Sequence, residues 1–106
     1  MADIKINITS GQALSYLRVY NFYEHLVFDC ISTELPSLYG DKDDEFFLDV
    51  ACYALTRLPS RYFCHEIDMA FYLTAKERAE MTARTLEQVI KAAEFIHTRQ
   101  QKATDE

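Results

Sequence analysis

A chain of 106 residues fits one compact domain, and its 49% hydrophobic and 13% aromatic content can supply a core. Two glycines and two prolines leave too few turns for a hairpin-rich β fold, and a net charge of −6 with no basic stripe argues against a duplex nucleic acid as partner. No stretch approaches the roughly 20 apolar residues of a membrane span, and Met1–Thr9 lacks the basic-then-apolar order of a secretory signal, so the expectation is a cytoplasmic protein with no DNA and no membrane partner.

Residues 1–10 form an expected N-terminal arm in which Ile4, Ile6 and Ile8 alternate as in a short extended segment. A first helix is predicted over 11–34. Tyr16, Val19, Tyr20, Tyr23, Leu26, Val27 and Cys30 make one apolar stripe; Leu17, Phe28, Ile31 and Leu35 make a second. A helix apolar on two faces calls for two covers, and a second copy of the chain is the simplest, hence an expected homodimer. Leu35–Pro36 ends the helix, because proline denies the preceding residue the helical conformation.

Residues 37–45 read as a polar connection in which Gly40 permits a turn. Asp41, Asp43, Asp44 and Glu45 gather carboxylates at the start of the next helix, where they complement its positive end. A calcium loop is the sharper reading of the same residues, but the ligand spacing and closing glutamate of such a loop are missing. The second helix is predicted over 44–58, with Phe47, Val50, Ala51, Ala54, Leu55 and Leu58 inward and Arg57 in the last turn. Leu58–Pro59 stops it. From Ile67 to Leu73 the pattern turns to period two, which predicts one short extended or strand segment.

Thr74 and Glu77 have the spacing of a capping box. They open the longest predicted helix, 75–100, with Ala79, Ala83, Leu86, Val89, Ile90, Ala93 and Ile96 as its stripe and Glu80–Arg84 and Glu87–Lys91 as i,i+4 ion pairs. Residues 101–106 are expected to fray. The result is a mainly α fold, a single domain over 1–106 with three main helices and one short strand segment, homodimeric.

Several residue groups carry candidate chemistry. Arg57 and Arg61 flank the rigid Leu58–Pro59 turn, with Tyr62 beside them. Two guanidiniums next to an aromatic face suit a planar anion such as a nucleotide: each can grip a phosphate or a guanine edge, while Tyr62 or Tyr53 stacks on a base. The plainer alternative is that Arg57 complements a helix end and Arg61 pairs with a carboxylate such as Asp49 or Glu66. Asn21 falls inside the predicted first helix, a poor place for asparagine on propensity, which marks it as a ligand contact or a hydrogen-bonded register pin in a dimer. Glu24 can accept from a guanine amino edge or neutralise an arginine. Cys30, Cys52 and Cys64 lack the close pairs of a zinc site and read as small core hydrophobes. No catalytic set is evident, so no enzyme, cofactor or metal is expected.

The order of these elements resembles the late competence development ComFB family. An asparagine–tyrosine–glutamate cluster leads an early helix (Asn21, Tyr23, Glu24, Leu26, Val27), and a "D-[VIA]-x-x-x-A-L-x-x-L-P-x-x-Y" segment follows (Asp49, Val50, Ala54, Leu55, Leu58, Pro59, Tyr62). The resemblance covers Asn21–Tyr62 well and the rest loosely. It implies a small, helical, dimeric cytosolic protein, and some members of the family are receptors for cyclic di-GMP. Arg57-Leu-Pro-Ser-Arg61 also looks like the RxxxR motif of PilZ domains, which bind the same messenger on a β-barrel. Some family members bind zinc through a cysteine pair ahead of the second helix; Tyr39–Glu45 here holds no cysteine. The resemblance therefore implies a non-enzymatic cyclic di-GMP receptor acting as a signalling adaptor towards an unknown downstream protein, with Arg57, Arg61, Tyr62, Asn21, Glu24 and Tyr53 at the ligand. The alternative is a ligand-free, homodimeric interaction module with a regulatory role.

Overall fold

A computed structural model describes residues 19–64 and 73–105, the side chains of Tyr20 and Asp105 excepted. Its order is β1 (Tyr20–Asn21), α1 (Phe22–Glu34), α2 (Pro36–Tyr39), α3 (Asp44–Thr56), β2 (Tyr62–Phe63) and α4 (Ala75–Asp105). α1, α3 and α4 pack pairwise around one core, and β1 pairs antiparallel with β2, Tyr20 opposite Phe63 and Asn21 opposite Tyr62.

The expected arm over 1–10 and the first part of the predicted helix, 11–18, lie outside the described residues; within them, residues 19–21 precede the helix, which begins at Phe22. Asn21 is not inside it but caps it: its backbone is extended (φ −89°, ψ 119°) and Oδ1 accepts from the Tyr23 N–H at 3.2 Å. A capped start beats a continuing stripe because the orphan N–H groups of the first turn need acceptors. Val19, placed in the apolar stripe by spacing, is 58% exposed. The buried face of α1, Phe22, Tyr23, Val27 and Ile31 with Leu35 beyond its end, draws on both predicted stripes. It is covered from within, since α3 and α4 each pack on α1. Two helices of the same chain thus cover this face, while Phe28 of the second predicted stripe stays 49% exposed.

Pro36 ends α1 and also starts α2, a single helical turn inside the stretch read as a polar connection. Proline is at home in a first helical turn, where its missing N–H costs nothing. Gly40 follows with an ordinary φ of −64°; what demands glycine there is space, because a Cβ would stand 2.6 Å from the Pro36 carbonyl oxygen. Asp43 caps α3, its Oδ1 accepting from the Phe46 N–H at 3.0 Å, and Asp44 and Glu45 occupy the first turn. The acidic stretch thus acts as a cap. Phe46 rather than Phe47 fills the core, at 0% exposure, while Phe47 and Leu55 are half-buried against it. α3 stops at Thr56, and Arg57 forms its C-cap rather than its last turn.

α4 opens as its capping sequence predicts, with Thr74 Oγ1 accepting from the Glu77 N–H at 3.1 Å. It does not fray at Gln101 but continues to Asp105; no glycine or proline interrupts the run, and Thr104 Oγ1 bonds back to the Gln100 carbonyl at 2.9 Å. The buried stripe is Met81, Thr85, Val89, Ala92, Ala93 and Ile96. Thr85 tolerates 1% exposure because its hydroxyl is satisfied by the Met81 carbonyl at 2.8 Å. The predicted stripe is therefore split: Val89, Ala93 and Ile96 face the core, whereas Ala79, Ala83, Leu86 and Ile90 are exposed. Glu87–Lys91 forms at 2.9 Å; Arg84 turns from Glu80 and donates to Tyr23 Oη at 3.1 Å. The period-two segment from Ile67 lies outside the described residues except for Leu73, which is buried.

Candidate functional site

The end of α3 and the chain after it present two separate sites where the sequence placed one. The first lies between α3 and the C-terminal half of α4. Tyr53 is stacked on Phe95, ring centres 4.5 Å apart and planes 19° from parallel. The Arg57 guanidinium lies over the Tyr53 ring at 4.7 Å, and that of Arg99 lies 5.7 Å from the Phe95 ring centre. The ring pair separates two open clefts. One, of about 600 Å³, is bounded by Asp49, Cys52, Tyr53, Thr56, Arg99 and Gln100. The other, of about 440 Å³, is bounded by Tyr53, Arg57, Gln88, Lys91, Glu94 and Phe95. Both volumes fall within the roughly 300–1,000 Å³ of small-molecule sites. Three cations, Arg57, Lys91 and Arg99, meet two carboxylates, Asp49 and Glu94, along these walls. A guanidinium held over an aromatic ring can still offer N–H groups to an anion.

The second site is a pocket of about 220 Å³ at the Pro59–Arg61 turn, walled by Tyr23, Ser60, Arg61, Glu77, Glu80 and Arg84. Arg61 Nη2 meets Glu77 Oε2 at 3.6 Å. Among the described residues its partner is thus Glu77 on α4 rather than Asp49; Glu66 lies outside the described residues. Both side chains of the pair are close to half exposed (48% and 44%), so it contributes little. Arg57 borders the smaller of the two clefts and Arg61 the separate turn pocket. Four residues that include Pro59 carry the chain from the α3 cap to an extended strand, and the two guanidiniums leave by different faces.

The remaining candidates scatter. Tyr62 is 62% exposed on β2 and lines none of the three cavities. Glu24 is exposed in the first turn of α1. Asn21, at 8% exposure, accepts a second bond from the Arg61 backbone N–H at 2.9 Å, beside a 2.7 Å bond from the Phe22 N–H to the Arg61 carbonyl. Its Oδ1 thus pins one part of the chain to another. Among the cysteines, Cys52 and Cys64 are exposed rather than core. Cys30 is half-buried, and burial pushes its thiol pKa up, with the Glu34 carboxylate adding to the rise.

Sequence reasoning missed Lys91, Phe95 and Arg99. Their i, i+4, i+8 spacing puts a cation, an aromatic ring and a cation on one strip of the otherwise wet side of α4. An exposed phenylalanine between two cations one turn away on each side was the available signal.

Residues 20–100 match the family model described as late competence development protein ComFB. The chain belongs to the ComFB family. The match spans α1, α3 and most of α4, so the clefts around Tyr53 lie within the ComFB portion of the chain apart from Ala103 at one rim. Comparison with curated proteins and with solved structures gives no match. No helix of the described residues is long and apolar enough to cross a membrane, and among those residues no group of three or more His, Cys, Asp or Glu is placed to hold a metal ion.

Proposed function

We propose that this ComFB protein is a non-enzymatic, cytoplasmic receptor for a cyclic dinucleotide, cyclic di-GMP, and that the ligand is held at the Arg57–Tyr53–Phe95–Arg99 column. The reading draws on the resemblance to family members that bind this messenger. The observation that carries it is the guanidinium of Arg57 lying 4.7 Å over Tyr53, itself stacked on Phe95. A guanine that stacks on the guanidinium plane extends the column. The edge N–H groups then reach guanine O6 and N7, or a phosphate, as a bidentate donor. Lys91 and Arg99 supply further positive charge on either side of the ring pair. Arg61, Tyr62, Asn21 and Glu24 are not part of this ligand site; Asn21 and Arg61 shape the turn that follows Arg57. Calorimetric titration of cyclic di-GMP tests the proposal. Saturable heat with the parent, lost in Arg57→Ala and retained in Arg61→Ala, is the expected result. A parent that gives neither heat nor a thermal shift at high ligand ends the receptor reading.

A second reading, a homodimeric interaction module that needs no ligand, is favoured by the apolar surface left open: Leu38, Leu48 and Phe28 are 67%, 59% and 49% exposed. Sedimentation velocity on the purified chain measures the dimer directly, and a monomer across the micromolar range refutes it.

A further inference from the structure

The two clefts beside the Tyr53–Phe95 pair carry the same set of functional groups. The larger is bounded by a carboxylate, a guanidinium, an amide and a hydroxyl, those of Asp49, Arg99, Gln100 and Thr56. The smaller is bounded by the same four kinds, from Glu94, Arg57, Gln88 and Thr98. Tyr53 borders both. Two like clefts that share a wall suit a ligand made of two like halves.

The carboxylates are the groups that phosphate binding does not use. A dianionic ligand is drawn to Arg57 and Arg99 but repelled by Asp49 and Glu94, unless it brings hydrogen-bond donors to them. Nor are these carboxylates taken up by the cations beside them. The ion pairs among the described residues are Arg61–Glu77 and Glu87–Lys91, and neither Asp49 nor Glu94 makes a side-chain hydrogen bond within that set. Both side chains are exposed. They are acceptors open to the clefts.

Guanine brings the donors. Its N1–H and N2–H2 stand side by side, the complement of the two acceptor oxygens of a carboxylate. Adenine sets an acceptor, N1, beside its N6 donor, so one carboxylate oxygen meets a lone pair. On the receptor reading, which this inference rests on and deepens, we propose that the cyclic dinucleotide places one guanine in each cleft and that Asp49 and Glu94 select guanine over adenine by accepting from N1–H and N2–H2. Arg57 and Arg99 are then left to the phosphates and the O6/N7 edges.

Calorimetric titration of the full chain with cyclic di-GMP, cyclic di-AMP and the mixed cyclic GMP–AMP tests the assignment. One ligand per chain is expected. Cyclic di-GMP is expected to bind roughly 100-fold more tightly than cyclic di-AMP, with the mixed ligand in between, since each bidentate pair is worth about tenfold or more. Asp49→Asn/Glu94→Gln turns each carboxylate into an amide, whose oxygen and NH2 fit the adenine edge. This variant is expected to lose affinity for cyclic di-GMP and to gain affinity for cyclic di-AMP, a gain that a misfolded protein cannot give. Asp29→Asn/Glu34→Gln removes the same charge on α1, outside both clefts, and is expected to keep the preference of the parent. An amide variant that keeps the parent's preference, or that weakens both ligands alike, overturns the proposal. An equal change of preference in the α1 variant reduces the effect to bulk charge and overturns it, as does any stoichiometry other than one ligand per chain. A parent that binds cyclic di-GMP and cyclic di-AMP alike overturns this proposal and leaves the receptor reading standing; a parent that binds neither ends both.

Discussion

Removing one side-chain oxygen, that of Asn21, is expected to be among the costliest polar changes in this domain. In Asn21→Ala the first turn of α1 loses its cap, which costs about 1 kcal/mol in typical helices. The same substitution removes the acceptor of the Arg61 backbone N–H, which Asn21 Oδ1 receives at 2.9 Å; in this part-buried setting the lost hydrogen bond costs roughly 0.5–1.5 kcal/mol. The sum is about 1.5–2.5 kcal/mol, a large share of the roughly 5–15 kcal/mol that holds a domain together. For a chain of this size about 1 kcal/mol moves the melting temperature by roughly 4 °C or more, so the expected drop is on the order of 10 °C. Asn21→Asp keeps the acceptor at both bonds and places a negative charge at a helix N-terminus, and is expected to stay within about 1 kcal/mol of the parent. Urea unfolding followed by circular dichroism reads both variants, provided the slope m is unchanged so that the midpoint shift reports stability alone. An alanine variant as stable as the parent, or an aspartate variant as damaged as the alanine one, refutes the reasoning.

Other expectations follow from single contacts. Phe46→Ala empties a fully buried position and is expected to cost about 3–5 kcal/mol in the same assay. Tyr23→Phe removes the acceptor of the 3.1 Å bond from Arg84 and leaves the ring in place, for a loss of about 0.5–1.5 kcal/mol. The Glu87 carboxyl is held below its ordinary range by its hydrogen bond and charge contact with Lys91. A depressed folded-state pKa gives stability that is present above the unfolded value and lost as pH falls through the folded one. Lys91→Met should therefore flatten the acid limb of the stability profile slightly, and high salt should mimic it in the parent. Ellman's reagent at pH 8 is expected to consume two thiols quickly and the third slowly, because Cys52 and Cys64 are exposed while burial keeps Cys30 protonated. Cys30→Ser removes the slow phase if the assignment is right.

Which signals could be read from the chain alone depended on their range. The stops at Leu35–Pro36 and Leu58–Pro59, the Asp43 cap and the Thr74–Glu77 box are local, and each stands within two residues of its predicted place. The three long helices and the family resemblance rest on such signals. What failed was rotation and partnership. Spacing assigned α1 two apolar stripes and α4 a single one, but a helix packed against two neighbours buries whichever arc faces both. That arc turned out to be Phe22, Tyr23, Val27 and Ile31 on α1, and it left Ala79, Ala83, Leu86 and Ile90 of α4 outside.

The same division runs through the candidate site. The sequence by itself placed a cation at the end of α3 and an aromatic ring one turn before it, because Arg57 and Tyr53 are four residues apart on one helix and neighbours by its pitch alone. Only the tertiary structure decided what stands opposite. It put Phe95 and Arg99 of α4 across the cleft, turned Arg61 towards Glu77, and gave Asn21 a second partner 40 residues away. Contacts of that range depend on how far each helix is rotated when the core closes, and a sequence pattern fixes a helix's apolar arc only to within the width of the neighbours that cover it.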